Sequence, residues 1–481
     1  MTSRAMARTV WLALVVAGPV IVSAMVIGGP DGQGQAGDAR MIKTAATVEV
    51  DGPLAFSLPD PALTWPALAD VFAGNRLFTA LWTAPPNPVL PDLDGLGPLF
   101  NADSCAACHV RNGRGTPPDE SGPILAQPDD RFTPDTAAGY GMLARLPTDD
   151  IRAIPSSAYG SQIQDRAIAD HPGLLPEGRV HIVWRESTGR FADGTPFRLR
   201  HPLVRVETPA PPPLPSGVPL SLRAAPAVIG VGYLDTLPSE IITRRADPDD
   251  RDGDGISGRA AWLEDASGRP RLGRFGWKAS EPDLTSQIAA ALLGDMGLTS
   301  SRRPGPVCTA SQAACLAASD GGRPEVSDHQ IALIGTYLAG LAVPARRDTD
   351  SPLVRSGESL FHSIGCAACH VPDPAADHPA RPAEGGALPY TDLLLHDMGA
   401  GLDDGVAEGA ARSGEWRTPP LWGVGRQFDV NMHTNYLHDG RARNLTEAII
   451  WHDGEGGTAR RAFMALPAAD RAALLAFLAS L

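Results

Sequence analysis

Cys105-Ala-Ala-Cys108-His109 and Cys366-Ala-Ala-Cys369-His370 are two copies of one short pattern. C-x-x-C-H is the attachment site of c-type haem: two thiols add across the porphyrin vinyl groups, and the adjacent histidine becomes the proximal iron ligand. Two intervening residues bring both sulfurs to one porphyrin edge and turn the histidine beneath the metal. A zinc site or a dithiol redox centre uses the same cysteine spacing, but two copies, each followed by histidine, favour haem. Cys105, Cys108, Cys366 and Cys369 are thus expected to carry two covalent c-type haems, with His109 and His370 on the irons. The other two cysteines, Cys308 and Cys315, read as a local disulfide formed in an oxidising compartment.

Around each motif the sequence repeats itself. Gly74-Asn-Arg-Leu77-Phe78 precedes the first and Gly357-Glu-Ser-Leu360-Phe361 the second; Tyr337-Leu-Ala-Gly-Leu341 follows the first and Phe477-Leu-Ala-Ser-Leu481 the second. Each unit reads as helix, haem motif, irregular wrapping segment, closing helix. Ser327 and Gln330 form a capping box, after which Ile331, Ile334, Leu338 and Leu341 keep a helical period. The expected fold is mainly α: two cytochrome c-like haem domains in tandem over 48–345 and 346–481, the first with long irregular and β-hairpin insertions. The hairpin is signalled by Val180–Trp184 and Phe197–Leu199 around the turn at Asp193-Gly194. Asp250, Asp252 and Asp254, with Gly255, reproduce the first half of a calcium loop, yet position 12 is Ala261 rather than Glu. Calcium and a plain Asp/Gly turn both remain open there.

The 481 residues suit two or three domains at roughly 100–200 residues each. With 43% apolar and 20% charged residues the chain is not a disordered one. Its 41 basic and 55 acidic side chains give −14, with no basic stripe, which disfavours nucleic acid and suits a soluble protein that meets small molecules or a basic partner. Arg4 and Arg8 before the apolar run Val10–Ile27 have the order of a secretory signal. Residues 1–38 are expected to be a signal peptide, or an uncleaved anchor that is the chain's only membrane contact. Either places the folded part in the periplasm or elsewhere outside the cytoplasm.

Longer stretches carry a resemblance. Gly95–Asn101, Asp252–Gly258, Gly273–Ala279, Tyr390–Gly399, Trp416–Gly423, Tyr436–Arg441 and Glu447–His452 resemble the bacterial di-haem oxidoreductases, relatives of the di-haem cytochrome c peroxidases and of MauG, which oxidises tryptophans of a partner protein. The family has also been called thiol oxidoreductase, for which this sequence offers little support. In the related peroxidases an HxG or HDG motif is followed, twelve residues after its glycine, by the distal ligand of the C-terminal haem. Here His438-Asp439-Gly440 leads to His452, so the resemblance implies a bis-histidine iron held by His370 and His452. Met398 and Met432 are rival ligands, and His438 reads as structural. The family pattern of tryptophan, glutamine and distal acid falls on Trp277, Gln287 and Asp295, with Asp for Glu and a spacing of eight rather than ten. Trp277 would bridge the haems, Gln287 would donate a hydrogen bond and Asp295 would move protons; core packing for Trp277 and turn bonding for Asp295 are the plainer readings. Glu281 is a second acid. His171, His181 and His201 are candidates for the sixth position of the N-terminal iron.

The implied activity is reduction of hydrogen peroxide at the N-terminal haem. Electrons would come from a small redox protein or a quinol-linked donor through a low-spin C-terminal haem. MauG-like oxidation of a partner protein and pure electron carriage are the alternatives.

Overall fold

Gly74 and Gly357, equivalent in the repeat, stand where two helix pairs cross. A methyl group on Gly74 would lie 2.0 Å from the carbonyl oxygen of Leu333, and one on Gly357 would lie 2.0 Å from that of Ala473. Helix Ala67–Thr79 can therefore press backbone to backbone against helix Asp328–Ala339, and helix Pro352–Ser363 against helix Ala468–Ser480. Four residues beyond each glycine comes the phenylalanine of the repeat. Phe78 packs on Tyr337 of the closing helix at 5.3 Å and Phe361 on Phe477 at 5.1 Å. The same two rings lie 6.1 Å from His109 and 6.5 Å from His370. The Gly-x-x-x-Phe spacing is thus one device used twice: the glycine sets the crossing, and the aromatic ring walls the histidine. Ser327 and Gln330 form the capping box reciprocally at the start of the first closing helix.

Alanine favours a helix over glycine by about 1 kcal/mol, so propensity alone would make Gly357→Ala stabilising. The methyl meets a rigid carbonyl, and overpacking of that kind costs about 1–3 kcal/mol. Sterics should win, and the urea midpoint of Gly357→Ala should fall below that of the wild type.

The computed structural model describes residues 45–118, 122–123, 141–147, 159–169, 171–209, 213–378 and 386–481; residues 1–38, the expected leader or anchor, lie outside them. Among the described residues, no helix is long and apolar enough to cross a membrane. The described part lies in one compact unit, Arg40–Leu481. A mainly α chain describes it only in part. Twelve α-helices are accompanied by thirteen strands among the described residues, eight of the strands lying in the insertions between the first haem motif and its closing helix. The hairpin is longer than its sequence signal: Arg179–Arg190 pairs antiparallel with Pro196–Glu207, from Arg179↔Glu207 to Arg190↔Pro196. Its tip is anchored, with Phe191 at 6.0 Å from Phe463 and Arg471 donating to Asp193 at 2.7 Å. Strand Met142–Arg145 pairs with Ser221–Ala224 and forms one wall of the first site. Cys308 and Cys315 are disulfide-bonded.

Candidate functional site

Six of the residues singled out in the sequence converge on one cavity of about 300 Å³: Cys105, Cys108, His109, Trp277, Gln287 and Asp295 all line it. Ser104 caps the short Cys105–Cys108 helix by accepting from the Ala107 amide. The turn then aims His109 so that its Nδ1 meets the Pro226 carbonyl at 2.8 Å. A carbonyl can only accept, so Nδ1 carries the proton and Nε2 keeps its lone pair, the arrangement of a metal-binding imidazole. Burial pushes the His109 pKa down and keeps the ring neutral. The four motif cysteines are free thiols, and burial lifts Cys105 and Cys366 to about 12. A dithiol redox centre needs thiolates stabilised near neutral pH; these sulfurs are the opposite. Apolar walls, a neutral imidazole and two adjacent free thiols fit a haem.

Trp277 donates from Nε1 to the Ala224 carbonyl at 2.8 Å, with the Arg114 guanidinium 5.3 Å from its ring centroid. It also meets His438 edge-on at 6.5 Å, and His438 in turn stacks on Trp416 at 3.6 Å. Two cations, Arg223 at 4.4 Å and the fully buried Lys278 at 4.1 Å, lie over Trp416. Burial, with those cations and Arg441 nearby, holds His438 well below its usual pKa, so it is a neutral spacer in an aromatic column.

Helix Leu284–Met296, capped by Asp283, carries both Gln287 and Asp295. Eight residues of helix separate their Cα atoms by about 12 Å, so they reach different parts of the cavity. Asp295 Oδ1 accepts from Gln162 Nε2 at 3.1 Å. Burial raises its pKa, partly offset by Arg145 and Gln162. Two other acids face the same space. Glu281 is raised by burial but paired with Arg303 at 2.8 Å. Glu408 is raised by burial and then more than reversed by Arg145, Arg223, Ser280 and Lys278. Asp295 is the cavity acid tuned upward without an ion-pair partner within 4.0 Å among the described residues. None of His171, His181 and His201 lines the cavity, where His109 is the only histidine among the described residues.

The second motif is built differently. His370 Nδ1 meets the Tyr390 carbonyl at 3.1 Å and His452 Nδ1 the Ala448 carbonyl at 2.7 Å, again leaving each Nε2 as the free nitrogen. The two rings face each other with centroids 6.4 Å apart. Burial and the neighbouring His452 push His370 down to about 4. Two imidazoles held neutral by burial and two free thiols would suit a haem here. A side chain on Gly456 would meet both His452 and the Met398 methyl, so Met398 packs beside that ligand. Met432 is 66% exposed and plays no part.

Beside Cys369 stands a group that sequence reading missed as a site residue. His396 is 3% exposed, with Asp392 at 2.9 Å from Nε2, Glu455 at 2.6 Å from Nδ1 and the Cys369 sulfur 3.6 Å away. Carboxylates only accept, so both ring nitrogens donate and the ring is a cation. Burial alone would lower its pKa; the hydrogen bonds to Asp392, Cys369 and Glu455 raise it well above 6.5. Burial likewise raises Glu455, but His396 and Ser257 bring it to about 2. The raised histidine stabilises fully below pH 6.5 and loses that contribution as pH climbs through its folded value. The depressed glutamate stabilises fully above pH 4.5 and loses that contribution toward pH 2. His396→Leu, which strands two buried carboxylates, should cost about 3–5 kcal/mol. The difference from wild type should be largest between pH 4.5 and 6.5 in denaturant titrations and should shrink at alkaline pH.

Away from both motifs, the carboxylates of Asp250, Asp252 and Asp254 lie within 4.8 Å of one another on the exposed surface.

A family model described as "Di-haem oxidoreductase, putative peroxidase" matches residues 38–125 and 162–481. The chain belongs to that family. A search of curated proteins finds no match. Among solved structures, a chain of Kuenenia stuttgartiensis hydrazine synthase pressurised with 20 bar xenon matches at 18% identity. The match covers 58% of this chain and 98% of that one, with a TM-score of 0.24, too low to bear on the chemistry. Membership in the di-haem oxidoreductases gives the chain a di-haem redox role. The span 126–161, between the two matched parts, precedes Gln162, the partner of Asp295. The family pattern resumes at that glutamine.

Proposed function

We propose that this di-haem oxidoreductase is an extracytoplasmic c-type peroxidase. It would reduce hydrogen peroxide at the Cys105–His109 site with electrons received through the Cys366–His370 site. The observation that carries this reading is an asymmetry: His452 faces His370 at 6.4 Å, whereas no second histidine lines the cavity of His109 among the described residues. Haem bound at each motif supplies a redox-active iron whose behaviour follows its axial ligands. Cys105 and Cys108 would fix one porphyrin by thioether bonds, Cys366 and Cys369 the other. His370 and His452 would together hold the iron of the second haem and leave it suited to moving electrons, while His109 alone would hold the other, where peroxide would react.

Asp295 takes a proton from one peroxide oxygen and returns it to the departing hydroxide, a double task that a carboxyl with a raised pKa can perform. The whole reaction joins one peroxide, two electrons and two protons to give two waters. Gln287 orients substrate from the other part of the cavity, and Trp277 offers an aromatic ring for electron passage. The donor would be a small redox protein or a quinol-linked carrier; a basic one suits the net charge of −14. The disulfide and the paired C-x-x-C-H motifs support a location outside the cytoplasm. Calcium is our reading of the Asp250, Asp252 and Asp254 cluster.

The test is steady-state oxidation of a reduced c-type cytochrome by peroxide, alongside mass spectrometry of candidate partner proteins. Two cytochromes oxidised per peroxide is the expected stoichiometry. Covalent oxidation of a partner without cytochrome turnover would favour the MauG-like reading instead.

A further inference from the structure

We propose that a buried polar chain from Glu177 through Gln164, Asp165, Asn101 and Gln162 to Asp295 carries protons between the protein surface and the His109 cavity. Its role in supplying protons for peroxide reduction rests on the peroxidase reading; the path itself is argued from geometry.

At the inner end, Gln162 Nε2 reaches Asp295 Oδ1 at 3.1 Å, Asn101 Oδ1 at 2.8 Å and the Gly294 carbonyl at 2.6 Å. The Asn101 amide donates from Nδ2 to the Ile163 carbonyl at 2.9 Å and stands near enough to the Asp165 carboxyl to pull its pKa down. Gln164 Nε2 donates to the same Gly294 carbonyl at 2.8 Å, while its backbone N–H donates to Glu177 Oε2 at 2.8 Å. At the outer end Gln312 Nε2 donates to Glu177 Oε1 at 2.6 Å. Gln312 is half-buried and sits in the short loop closed by the Cys308–Cys315 disulfide, which holds it at the mouth of the path.

Among the described residues three acceptors along this chain have no hydrogen-bond partner: Gln162 Oε1, Gln164 Oε1 and Asp165 Oδ1. Their side chains belong to residues only 1%, 3% and 7% exposed. Buried acceptors of that kind in folded proteins are ordinarily met by ordered water. Amides do not ionise, so this path requires waters at these atoms to supply the mobile protons between the carboxyls. Space exists for one of them, since even a methyl on Gly294 would stop 3.6 Å from Gln162 Oε1.

The charges agree with this use. Burial lifts Asp165 to about 7 against the pull of Arg166, and lifts Asp295 against Arg145. Burial lifts Glu177 against its hydrogen bonds from Gln164 and Gln312. Cys105 and Cys108 line the same cavity as Asp295, and its charge, with that of Asp165 at Cys108, raises their thiol pKa values; as thioethers they would not titrate. Carboxyls tuned this way exchange protons near neutral pH.

The test measures proton uptake after rapid reduction of the haem-loaded protein, followed with a pH-indicator dye in unbuffered solution, so that no peroxide is needed. Asp165→Asn should slow uptake by at least about tenfold, with Asp165→Glu restoring it and haem content unchanged. Gly294→Ala places a methyl in the water's space within a helix that tolerates alanine. It should slow uptake without lowering Tm, and it decides the matter should Asp165→Asn fail to fold. Uptake at the wild-type rate in both variants, or no uptake by the wild type, overturns the path. A wild type that takes up protons on reduction yet consumes no peroxide overturns the peroxidase reading and leaves the path standing.

Discussion

Asp295→Asn should lower peroxide turnover by about 10²–10⁴-fold, the usual loss when a positioned acid–base group is removed, while leaving both haems in place. Asparagine keeps the size and the bonding to Gln162 but cannot give or take the proton. The stability of the variant separates this from damage to the fold. Asp295 is half-buried at the last turn of helix Leu284–Met296, where the negative end of the helix dipole adds to the cost of a charge. Its raised pKa means that the wild type loses stability as pH rises from the ordinary carboxyl value through the folded one. Asparagine removes that loss, so the variant should be at least as stable as the wild type at pH 8 while far slower. A variant that is slow and also unstable would point to a structural role for the carboxylate.

His452→Ala should have the second large effect. With the facing imidazole gone, the His370 site keeps one ligand, and the ferric spectrum should gain a high-spin component from that centre. Oxidation of donor by peroxide should drop by roughly 10–100-fold or more, the scale seen when even outer groups around a metal are lost. The cause is that a metal retuned by ligand loss no longer accepts electrons from the same donor. Met398 lies beside His452, so a partial low-spin signal of histidine–methionine type is the specific result to look for if the loop can shift. An unchanged spectrum would remove His452 from the ligand set.

The parts of the molecule that were legible in its sequence are those whose cause is local. The C-x-x-C-H spacing fixes the thiols beside their histidine, and the repeated Gly-x-x-x-Phe fixes a helix crossing with its aromatic wall. Asp193-Gly194 marks the turn of the hairpin, though not its length, because strand ends depend on the partner: the tip extends until Phe191 finds Phe463. His452 could be reached only through resemblance, as nothing in Trp451-His452-Asp453 distinguishes a ligand from a surface histidine. The least legible residues were those joined across the chain. Gln162 meets Asp295 from 133 positions away, and Glu455 meets His396 from 59. No periodicity or spacing connects such pairs, and only the fold brings them together. The eight-residue interval from Gln287 to Asp295 was visible, but its consequence was not. On a continuous helix it sets the two side chains in different parts of the cavity rather than side by side.

Low-temperature EPR of the ferric, haem-loaded protein, before and after addition of cyanide, tests the central asymmetry most directly. The account predicts one low-spin bis-histidine signal that cyanide leaves alone, and one high-spin signal that cyanide converts. Two low-spin signals, neither of which responds to cyanide, would contradict it.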